Sequence, residues 1–400
     1  MEPMGCLPRL AVFSSYKNCN ESWNSVSKFH NQILQQELQN LNNASNNSVF
    51  VTLDLYSAFM SALTRQANNS VKGQHGHYGS VKLFVFGDSY VDTGNLGKFS
   101  PSWKEPYGLS FPGKPSGQFS DGRILTDYIA SYFGIKSPVP FERRNITRKS
   151  GLEYGMNFAY GGTGVFKTLV DQPNMTIQID HFQEILDKNI YTKQDLNKSV
   201  ALVSVAGNDY TTFIAKNGSL QYMPDFTKKL VKQLAMDLKR IKGLGVENVL
   251  VTAVEPLGCY PALTAKNSYQ KCIEIFNSAA QFHNLQLKDA VNKLNTDTNI
   301  HNSTASSFIF LNVYGSFMSA LNKKHFKGKL EVKNPLEPCC VGLDDKYSCG
   351  SVDDKGVKKY SVCENPELSF FWDNVHPTQS GWHAVSSSLN SSLHRIYKSF

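Results

Sequence analysis

Five short apolar runs, separated by longer segments, constrain the fold of this chain more than any other feature. Most of them are nearly continuous, as expected for strands of a parallel sheet that is covered on both faces. Strands that alternate with helices at this spacing predict right-handed crossovers and helices on both sides of the sheet. The predicted strands are Val81–Phe86, Gly155–Ala159, Val200–Val205, Asn248–Val254 and Ser307–Val313.

Helical patterns fill the segments between these runs. The predicted fold class is therefore α/β, a three-layer sandwich with a mainly parallel five-stranded sheet. In such a sheet the ligand site lies outside the carboxyl ends of the strands, and three strand ends carry distinctive loops, "GDSY", "YGGTG" and "GND". The predicted helices cover about Arg123–Phe133, Gln178–Asp187, Asp225–Lys242 and Tyr269–Leu294, and a last helix follows "HPTQSGWHAVSSSL".

Charge and hydrophobicity argue against two classes of partner. The 400-residue chain has a net charge of +8. Its lysines and arginines are scattered, and no basic cluster alternates with aromatic residues, so nucleic acid is not an expected partner. No run approaches the roughly 18 uninterrupted apolar residues that a membrane-spanning helix needs. We therefore predict no nucleic-acid partner and no integral membrane segment.

Ten Asn-x-Ser/Thr sequons occur in the sequence, a density that favours passage through the secretory pathway. The first residues, "MEPMGCLPRLAVFSSYKN", lack the charged start and the apolar core of about 7–15 residues that a signal peptide has. The composition thus predicts a secreted protein, although this chain shows no N-terminal signal peptide. The sequons begin at Asn20, Asn43, Asn46, Asn68, Asn145, Asn174, Asn197, Asn217, Asn302 and Asn390.

The eight cysteines favour disulfides over a metal site. They form no Cys-x-x-Cys pair, and the adjacent Cys339 and Cys340 are poorly placed as two ligands of one zinc ion. Free thiols are the alternative. A pairing is expected only for Cys259 with Cys272. The remaining cysteines are Cys6, Cys19, Cys349 and Cys363.

Part of the chain occurs twice. "EPMGCLP" at Glu2–Pro8 matches "EPLGCYP" at Glu255–Pro261, and the match continues at an offset of 253 through "SYKNCNESWNS" and "SYQKCIEIFNS". Further on, "VFVTLDLYSAFMSAL" at Val49–Leu63 matches "SFIFLNVYGSFMSAL" at Ser307–Leu321, now at an offset of 258. Chance does not produce matches of this length in the same order.

The first copy is a fragment, with one helical pattern at about Asn20–Leu41, one predicted strand at Val49–Leu55 and the start of another helix. Ordering about 65 residues costs roughly 1.5 kcal/mol each, which one helix and one strand do not offset by burial. The alternative is a genuine N-terminal helical module. We predict a non-catalytic partial tandem copy of residues 254–324 at residues 1–70, a junction at residues 71–80 and a complete unit at residues 81–400.

A serine follows the first predicted strand, in "VFGDSYVDTGN". A serine hydroxyl attacks poorly unless a neighbouring base takes its proton. Ser89 stands where the strand ends and a helix is predicted to begin, and a helix start stabilises negative charge. The alternative role is a helix N-cap, worth about 1 kcal/mol. Ser89 is therefore the candidate nucleophile, and Asp88 is expected to hold the loop or cap the helix.

A histidine and an aspartate occur close together in "WDNVHPTQSGW". Asp373 and His376 are three residues apart, so one turn places both side chains on the same face. The carboxylate can then hold Nδ1–H and leave Nε2 free as the base for Ser89. Pro377 fits a first helical position, which predicts His376 at the entrance of a helix. The alternative for an isolated Asp-x-x-His is a surface turn.

Two further loops offer donors for the oxyanion that forms in acyl transfer. "NFAYGGTGV" supplies Gly161 and Gly162, whose backbone N–H groups a substrate can approach, and Asn208 supplies a side-chain amide. The alternatives are a tight turn for the glycines and an Asx-turn for the asparagine.

These four blocks, in this order and at strand ends, resemble those of the GDSL esterase/lipase family, the SGNH hydrolases, in its plant branch. "FSDGRILTDYIA", "EPLGCYP" and "NPELSFFWD" are also similar to that branch. The resemblance covers about residue 81 to the C-terminus, with Tyr90 where the family name has leucine. Ser89 is not in a Gly-x-Ser-x-Gly motif, which argues against the α/β-hydrolase fold.

The resemblance implies the flavodoxin-like fold of SGNH hydrolases and hydrolysis of a small-molecule ester or lipid through an acyl-enzyme. It implies Ser89 as nucleophile, His376 as base and Asp373 as the orienting acid. Backbone N–H groups of Ser89 and Gly162, with the Asn208 amide, would hold the oxyanion. It implies no metal ion and no organic cofactor. The alternatives are acyl transfer to an alcohol by the same triad, or an inactive product of a fused tandem gene.

Overall fold

The computed structural model describes residues 21–44, 81–297, 307–322, 325–326, 330–331 and 334–397. The chain divides into two compact units, Met1–Tyr78 and Gly79–Phe400. In the first unit the described part is one helix, α1 (Glu21–Ala44), where a helix was predicted. The strand predicted at Val49–Leu55 lies outside the described residues.

Six parallel strands form the central sheet of the second unit, in the order β2-β3-β1-β4-β5-β6. The predicted parallel α/β sheet is confirmed, but it has six strands instead of five. The additional strand is β2, a two-residue edge strand that pairs with β3 and was too short to give an apolar run. The strands are β1 (Lys82–Gly87), β2 (Val139–Pro140), β3 (Gly155–Asn157), β4 (Ser199–Ser204), β5 (Asn248–Thr252) and β6 (Phe308–Leu311).

Helices connect these strands, and all five predicted in the second unit are present. Four further helices of the described residues were not predicted. Gly207–Ala215 and Val313–Leu321 have nine residues each and follow strand ends, and Lys193–Leu196 and Pro261–Thr264 have four residues each. Two-residue and three-residue strands form small hairpins, β7 (His325–Phe326) with β8 (Leu330–Glu331) and β9 (Cys340–Gly342) with β10 (Tyr360–Val362). The helices are α2 (Leu125–Tyr132), α3 (Met175–Asp187), α4 (Lys193–Leu196), α5 (Gly207–Ala215), α6 (Met223–Gly243), α7 (Pro261–Thr264), α8 (Glu274–Thr296), α9 (Val313–Leu321) and α10 (Gln379–Tyr397).

The sheet has an apolar core on each face, and strand β1 contributes to both. Phe84 and Phe86 point to the face covered by α3, α6 and α8, whereas Leu83 and Val85 point to the face covered by α2, α9 and α10. This alternation follows from the two-residue repeat of a strand. All four side chains are fully buried. The continuous apolar run therefore reflects two cores, one on each side of a single strand.

Helix α6 illustrates how the outer layers pack. Its buried residues include Leu230, Leu234, Leu238 and Ile241, at spacings of three and four that place them on one side of the helix. Its lysines lie mainly on the opposite side. The apolar side of α6 thus packs on the sheet, and its lysine-rich side faces solvent.

Three disulfides lie in the second unit: Cys259–Cys272, Cys339–Cys363 and Cys340–Cys349. The first is the pair that the sequence analysis expected. Cys339–Cys363 joins the two residues that flank the hairpin of β9 and β10, and Cys340–Cys349 joins the first residue of β9 to the loop between the strands. Among the described residues, no helix combines the length and the apolar character needed to cross a bilayer.

Candidate active site

Strand β1 ends at a glycine that allows the chain to turn sharply. Gly87 has φ of +139°, and a Cβ atom there would lie 1.8 Å from the carbonyl oxygen of Ser204 on the neighbouring strand. Gln178 holds the same residue from the side, since its amide accepts from Gly87 N–H at 2.8 Å and donates to Gly87 O at 2.9 Å. Asp88 N–H then bonds to Ser204 O at 3.1 Å. This turn places Ser89 directly beyond the sheet.

The helix predicted after Ser89 is not formed. The chain makes a single turn, in which the N–H groups of Val91 and Asp92 bond to Asp88 O. It then turns away because the Asp92 carboxylate accepts from Gly94 and Asn95 N–H at 2.7 Å each. Asp88 therefore caps no helix; its carboxylate accepts from Tyr90 N–H at 3.2 Å and holds the loop. Burial raises the pKa of Asp88 to about 7.

His376 lies between Ser89 and Asp373. Its Nε2 is 2.8 Å from Ser89 Oγ, and its Nδ1 is 2.9 Å from each carboxylate oxygen of Asp373. Serine and histidine are 287 residues apart in the sequence. All three side chains are largely buried, and Ser89 is 8% exposed. The hydroxyl, the imidazole and the carboxylate form a continuous hydrogen-bonded chain.

Asp373 is fixed by donors in addition to His376. Its Oδ1 accepts from the backbone N–H groups of Val375 and His376, and its Oδ2 accepts from Tyr107 Oη at 2.8 Å. Burial alone would raise the pKa of the Asp373 carboxyl, but the charge of His376 and these backbone bonds outweigh burial and lower it. The carboxylate therefore stays ionised next to the imidazole.

The segment before Asp373 is tied to the disulfide-linked hairpin. Cys339 N–H bonds to Phe371 O at 3.0 Å, and Cys340 N–H bonds to Trp372 O at 2.6 Å. Both cysteines are in disulfides. The two bridges thus hold the backbone immediately before the carboxylate.

Aromatic rings surround the imidazole. The Phe119 ring stacks on His376 with centroids 4.8 Å apart, and the Tyr90 ring meets it edge-on at 5.7 Å. Tyr90 Oη also donates to Val375 O at 2.9 Å. These contacts restrict the ring to the orientation in which Nε2 faces Ser89.

Pro377 is not at a first helical position, so the predicted helix entrance at His376 is wrong by two residues. Helix α10 begins at Gln379, and the Thr378 hydroxyl accepts from Gly381 N–H at 2.9 Å. Pro377 instead pairs with Phe371 in an isolated β-bridge. His376 therefore lies in a short loop, where the Asp373 side chain, rather than a helical turn, sets its position.

The two candidate glycine donors differ in their partners. Gly161 N–H bonds to Asp92 Oδ2 at 3.0 Å, so it is occupied. Gly162 adopts φ of +80°, and within the described residues its N–H has no hydrogen-bond partner. Thr163, the next residue, donates through Oγ1 to Gly87 O at 3.1 Å. The loop of Gly162 is thereby bonded to the strand end that carries Ser89.

Asn208 opens helix α5 and faces the same space. Its Nδ2 donates to Thr163 O at 3.0 Å, which uses one of its two N–H bonds and leaves the other. The neighbouring Asp209 accepts from Val165 and Phe166 N–H at 2.9 Å each. Burial raises the pKa of Asp209 to about 7, against the effect of these two bonds. Asn208 and Asp209 together hold the glycine loop against the start of α5.

A cavity of about 420 Å³ opens beside Ser89 and Asn208. This volume lies within the range of small-molecule sites, about 300–1,000 Å³. Gly162, His376 and Asp373 are not among the residues that line it. The lining is mostly apolar and comes mainly from α5, α6, α7, α8 and the segment before α7; its apolar side chains include Ile214, Met223, Leu257, Leu263, Phe276 and Ala279.

Several site contacts had no signal in the sequence. Tyr107 and Gln178 bond to Asp373 and Gly87 from distant loops and helices, and no local motif marks either residue. Phe119 belongs to "FSDGRILTDYIA", a block noted for its resemblance but without an assigned role. His283, by contrast, is a core residue of α8 that bonds to Tyr210 Oη at 2.9 Å, and burial lowers its pKa to about 3.

Comparison with known proteins gives consistent matches over the second unit. A profile of the "GDSL-like Lipase/Acylhydrolase" family matches residues 83–389. A GDSL esterase/lipase of Arabidopsis thaliana is 52% identical over 316 residues, which cover 78% of this chain and 87% of that protein. A second GDSL esterase/lipase of the same plant is 49% identical over 320 residues, or 79% of this chain and 89% of the relative.

Proposed function

This chain belongs to the GDSL-like lipase/acylhydrolase family, and from that premise we propose that it cleaves its ester substrate through an acyl-enzyme formed on Ser89. The family and its esterase/lipase relatives make the chain a serine hydrolase of carboxylic esters. The observation that carries the assignment of the nucleophile is the 2.8 Å contact between Ser89 Oγ and His376 Nε2. A serine in contact with an oriented base is the arrangement that nucleophilic catalysis requires.

The first step transfers the Ser89 proton to His376 as Oγ attacks the ester carbonyl. Nε2 accepts this proton while Nδ1–H remains bonded to Asp373, whose negative charge stabilises the imidazolium. The same Nε2–H then protonates the alcohol oxygen as the bond from the carbonyl carbon to that oxygen breaks. The alcohol leaves, and the acyl group remains as an ester on Ser89.

The negative charge on the tetrahedral oxygen requires hydrogen-bond donors that are already in place. Ser89 N–H and Gly162 N–H have no partners within the described residues, and Asn208 has one N–H left. We assign these three groups to the oxyanion hole. In a buried site each such donor is typically worth about 10²–10³ in rate.

The second step repeats the first with water in place of serine. His376 removes a proton from the water molecule, the oxygen attacks the acyl carbon, and the collapse of the second intermediate returns a proton to Ser89 Oγ. The products are a carboxylic acid and the free enzyme.

Labelling with a fluorophosphonate tests the nucleophile. We expect a single adduct on Ser89 in the wild type and none in Ser89→Ala, whereas the exposed Ser361→Ala variant should label like the wild type. An adduct on another serine, or equal labelling of Ser89→Ala, would contradict the assignment.

Residues 1–70 are, in this proposal, a non-catalytic partial copy of residues 254–324. Helix α1 corresponds at the offset of 253 to residues 274–297, and α8 covers Glu274–Thr296. Leu34 and Leu41 correspond to Leu287 and Leu294 of α8. The copies are 43% and 50% exposed, whereas Leu287 and Leu294 are 0% and 9% exposed. At these two positions the copy is exposed where α8 is buried, whereas Asn24 and Ser27 of the copy are buried like Asn277 and Ala280 of α8.

Removal of residues 1–78 tests this assignment. We expect the shortened chain to keep its esterase kcat/KM within about twofold and to unfold at the same temperature, since the site contacts described above all join residues of the second unit. A loss of activity in a folded shortened chain would assign the first unit a role in catalysis.

We also propose that the protein matures in the secretory pathway. Ten sequons and three disulfides support this, because disulfides form and persist in oxidising compartments. When the protein is isolated from plant tissue, peptide-N-glycosidase should lower its mass. An unchanged mass together with reduced thiols would contradict passage through that pathway.

A further inference from the structure

One polar pair in the cavity wall has no part in the mechanism above. Glu255 and Tyr260 line the cavity beside Ser89 and Asn208. The Glu255 residue is 5% exposed, and Tyr260 Oη lies 3.5 Å from its Oε2. Among the described residues, no second side chain hydrogen-bonds this carboxyl group. The Glu255 backbone also bonds to this carboxyl group, and the Tyr260 hydroxyl bonds to the Tyr90 side chain as well. A buried carboxyl group with room for a further hydrogen bond thus faces a mostly apolar space.

The surroundings of Glu255 favour the uncharged form of its carboxyl group. Burial, followed by the charge of Asp88, raises the pKa of Glu255 well above its usual value. A neutral carboxylic acid has one O–H donor and an acceptor oxygen, and the Tyr260 hydroxyl also donates and accepts. Because burial favours the uncharged form of Glu255, the pair suits a neutral group with an oxygen better than an ion.

The pair lies at the ester end of the cavity. Tyr260 Oη is 3.7 Å from the position that a Cβ atom would take on Gly207, the residue before Asn208. Asp88, which precedes Ser89, lies close enough for its charge to affect Glu255. A group that bonds to the pair is therefore within a few carbon atoms of the ester carbonyl.

The chain held in the cavity is the acyl group. His376 protonates the leaving alcohol, so the alcohol oxygen must lie on the His376 side of the carbonyl. Ser89 and Asn208 line the cavity, whereas His376 does not. Two residues next to His376, Tyr90 and Val375, also line the cavity, but most of its lining comes from the helices α5 to α8 and the segments that flank them. We therefore place the acyl chain, the part that stays bonded to Ser89, among those helices.

We propose that this enzyme recognises acyl groups with a hydroxyl group within the first few carbon atoms from the ester carbonyl, and that Glu255 and Tyr260 bind that hydroxyl. The inference rests on the proposed acyl-enzyme mechanism. Glu255 and Tyr260 are specificity residues here, and neither exchanges a proton in the chemical steps. A site that leaves buried polar groups unpaired with the wrong substrate discriminates against that substrate.

The test compares p-nitrophenyl butanoate with p-nitrophenyl 3-hydroxybutanoate, using each enantiomer separately. We expect the wild type to have about tenfold higher kcat/KM for one hydroxylated enantiomer, as one additional buried hydrogen bond provides. Glu255→Leu should bring this ratio close to one. Glu255→Gln should keep most of it, since the amide is neutral and both donates and accepts. Glu364→Leu, the same change at an exposed position outside the cavity, should leave the ratio unchanged.

Two results would overturn the inference: equal kcat/KM for the butanoate and both hydroxylated esters in the wild type, or a preference that persists in Glu255→Leu. Fluorophosphonate labelling first verifies that each variant is folded. If Glu255→Leu is not labelled, Tyr260→Phe decides: a smaller ratio supports the inference, and an unchanged ratio overturns it. If the wild type cleaves none of these esters and takes no label, the proposed acyl-enzyme mechanism is overturned. Failure of the mechanism is thereby distinguished from failure of hydroxyl recognition alone.

Discussion

The hydroxyl of Tyr107 donates a 2.8 Å hydrogen bond to Asp373 Oδ2, although the two residues are 266 positions apart in the sequence. Tyr107 is 4% exposed, so water does not replace this bond easily. Together with the backbone donors of Val375 and His376, it holds the carboxylate that faces His376 Nδ1. The orientation of the imidazole therefore depends on a tyrosine from a distant loop.

Replacement of this tyrosine should lower catalysis without changing substrate binding. Tyr107→Phe removes the donor to Asp373 and leaves the cavity lining intact, so we expect kcat to fall about tenfold with KM nearly unchanged. Steady-state kinetics with a p-nitrophenyl ester measures this. Tyr222→Phe, at a 61% exposed position, is the control and should behave like the wild type. Equal kcat for both variants would show that the hydroxyl has no effect on the triad.

The side-chain amide of Asn208 should raise kcat by stabilising the negative oxygen of the transition state. Asn208→Ala removes the proposed oxyanion donor, and we expect kcat to fall about 10²–10³-fold while KM changes little. Fluorophosphonate labelling at a reduced rate would show that Ser89 is still present and accessible. The control is Asn322→Ala, at the exposed C-terminal end of α9. A loss confined to KM would contradict the oxyanion role.

Gly87 should not tolerate a side chain. A Cβ atom there would lie 1.8 Å from Ser204 O, a backbone atom that cannot move aside, and φ is +139°. We expect Gly87→Ala to destabilise the fold by about 3 kcal/mol or more, as a fall in Tm.

Gly113→Ala separates the two causes of that loss. Gly113 has φ of +83° with nothing within 4 Å of the added methyl group, so conformational strain alone should cost it about 1 kcal/mol. Similar losses of Tm in the two variants would contradict the clash at Gly87.

Asp237 should make the stability of the protein depend on pH. Its Oδ2 has no partner among the described residues, and burial raises its pKa to about 6. The unfolded chain has a pKa of about 3.9 for such a group, so the folded state holds the proton more tightly. The tighter proton binding by Asp237 in the folded state adds to the free energy of unfolding. This addition is fully present below about pH 4 and is lost as pH rises through about 6.

Asp237→Asn removes the titration and should flatten this part of the profile. Relative to the wild type, the variant should gain up to about 3 kcal/mol between pH 4 and pH 7. Urea unfolding at several pH values measures the difference. The exposed Asp187→Asn variant should follow the wild type at each pH. Parallel profiles for wild type and Asp237→Asn would contradict a raised pKa in the folded state.

Local patterns were enough to predict most of the parallel sheet, because a strand buried on both faces needs a continuous apolar run. They missed β2, whose two residues carry no pattern, and the short helices α4, α5, α7 and α9. They placed a helix after Ser89 and one at Pro377, where the structure has a single turn and a loop. After Ser89, the Asp92 side chain bonds to Gly94 N–H and the chain turns away before a helix forms. After His376, the Thr378 hydroxyl bonds to Gly381 N–H and sets the start of the helix at Gln379.

The sequence by itself determined the α/β class, the order of the strands along the chain and the residue types that carry the chemistry, since these depend on periodicity and on short motifs. Only the tertiary structure decided that Tyr107 bonds to Asp373, that Gly161 N–H bonds to Asp92 while Gly162 N–H has no partner in the described part of the chain, and that Glu255 faces the cavity. Each of these contacts joins loops from different strand ends. Their distances are set by the packing of the whole sheet and its helices, which no local stretch of sequence encodes.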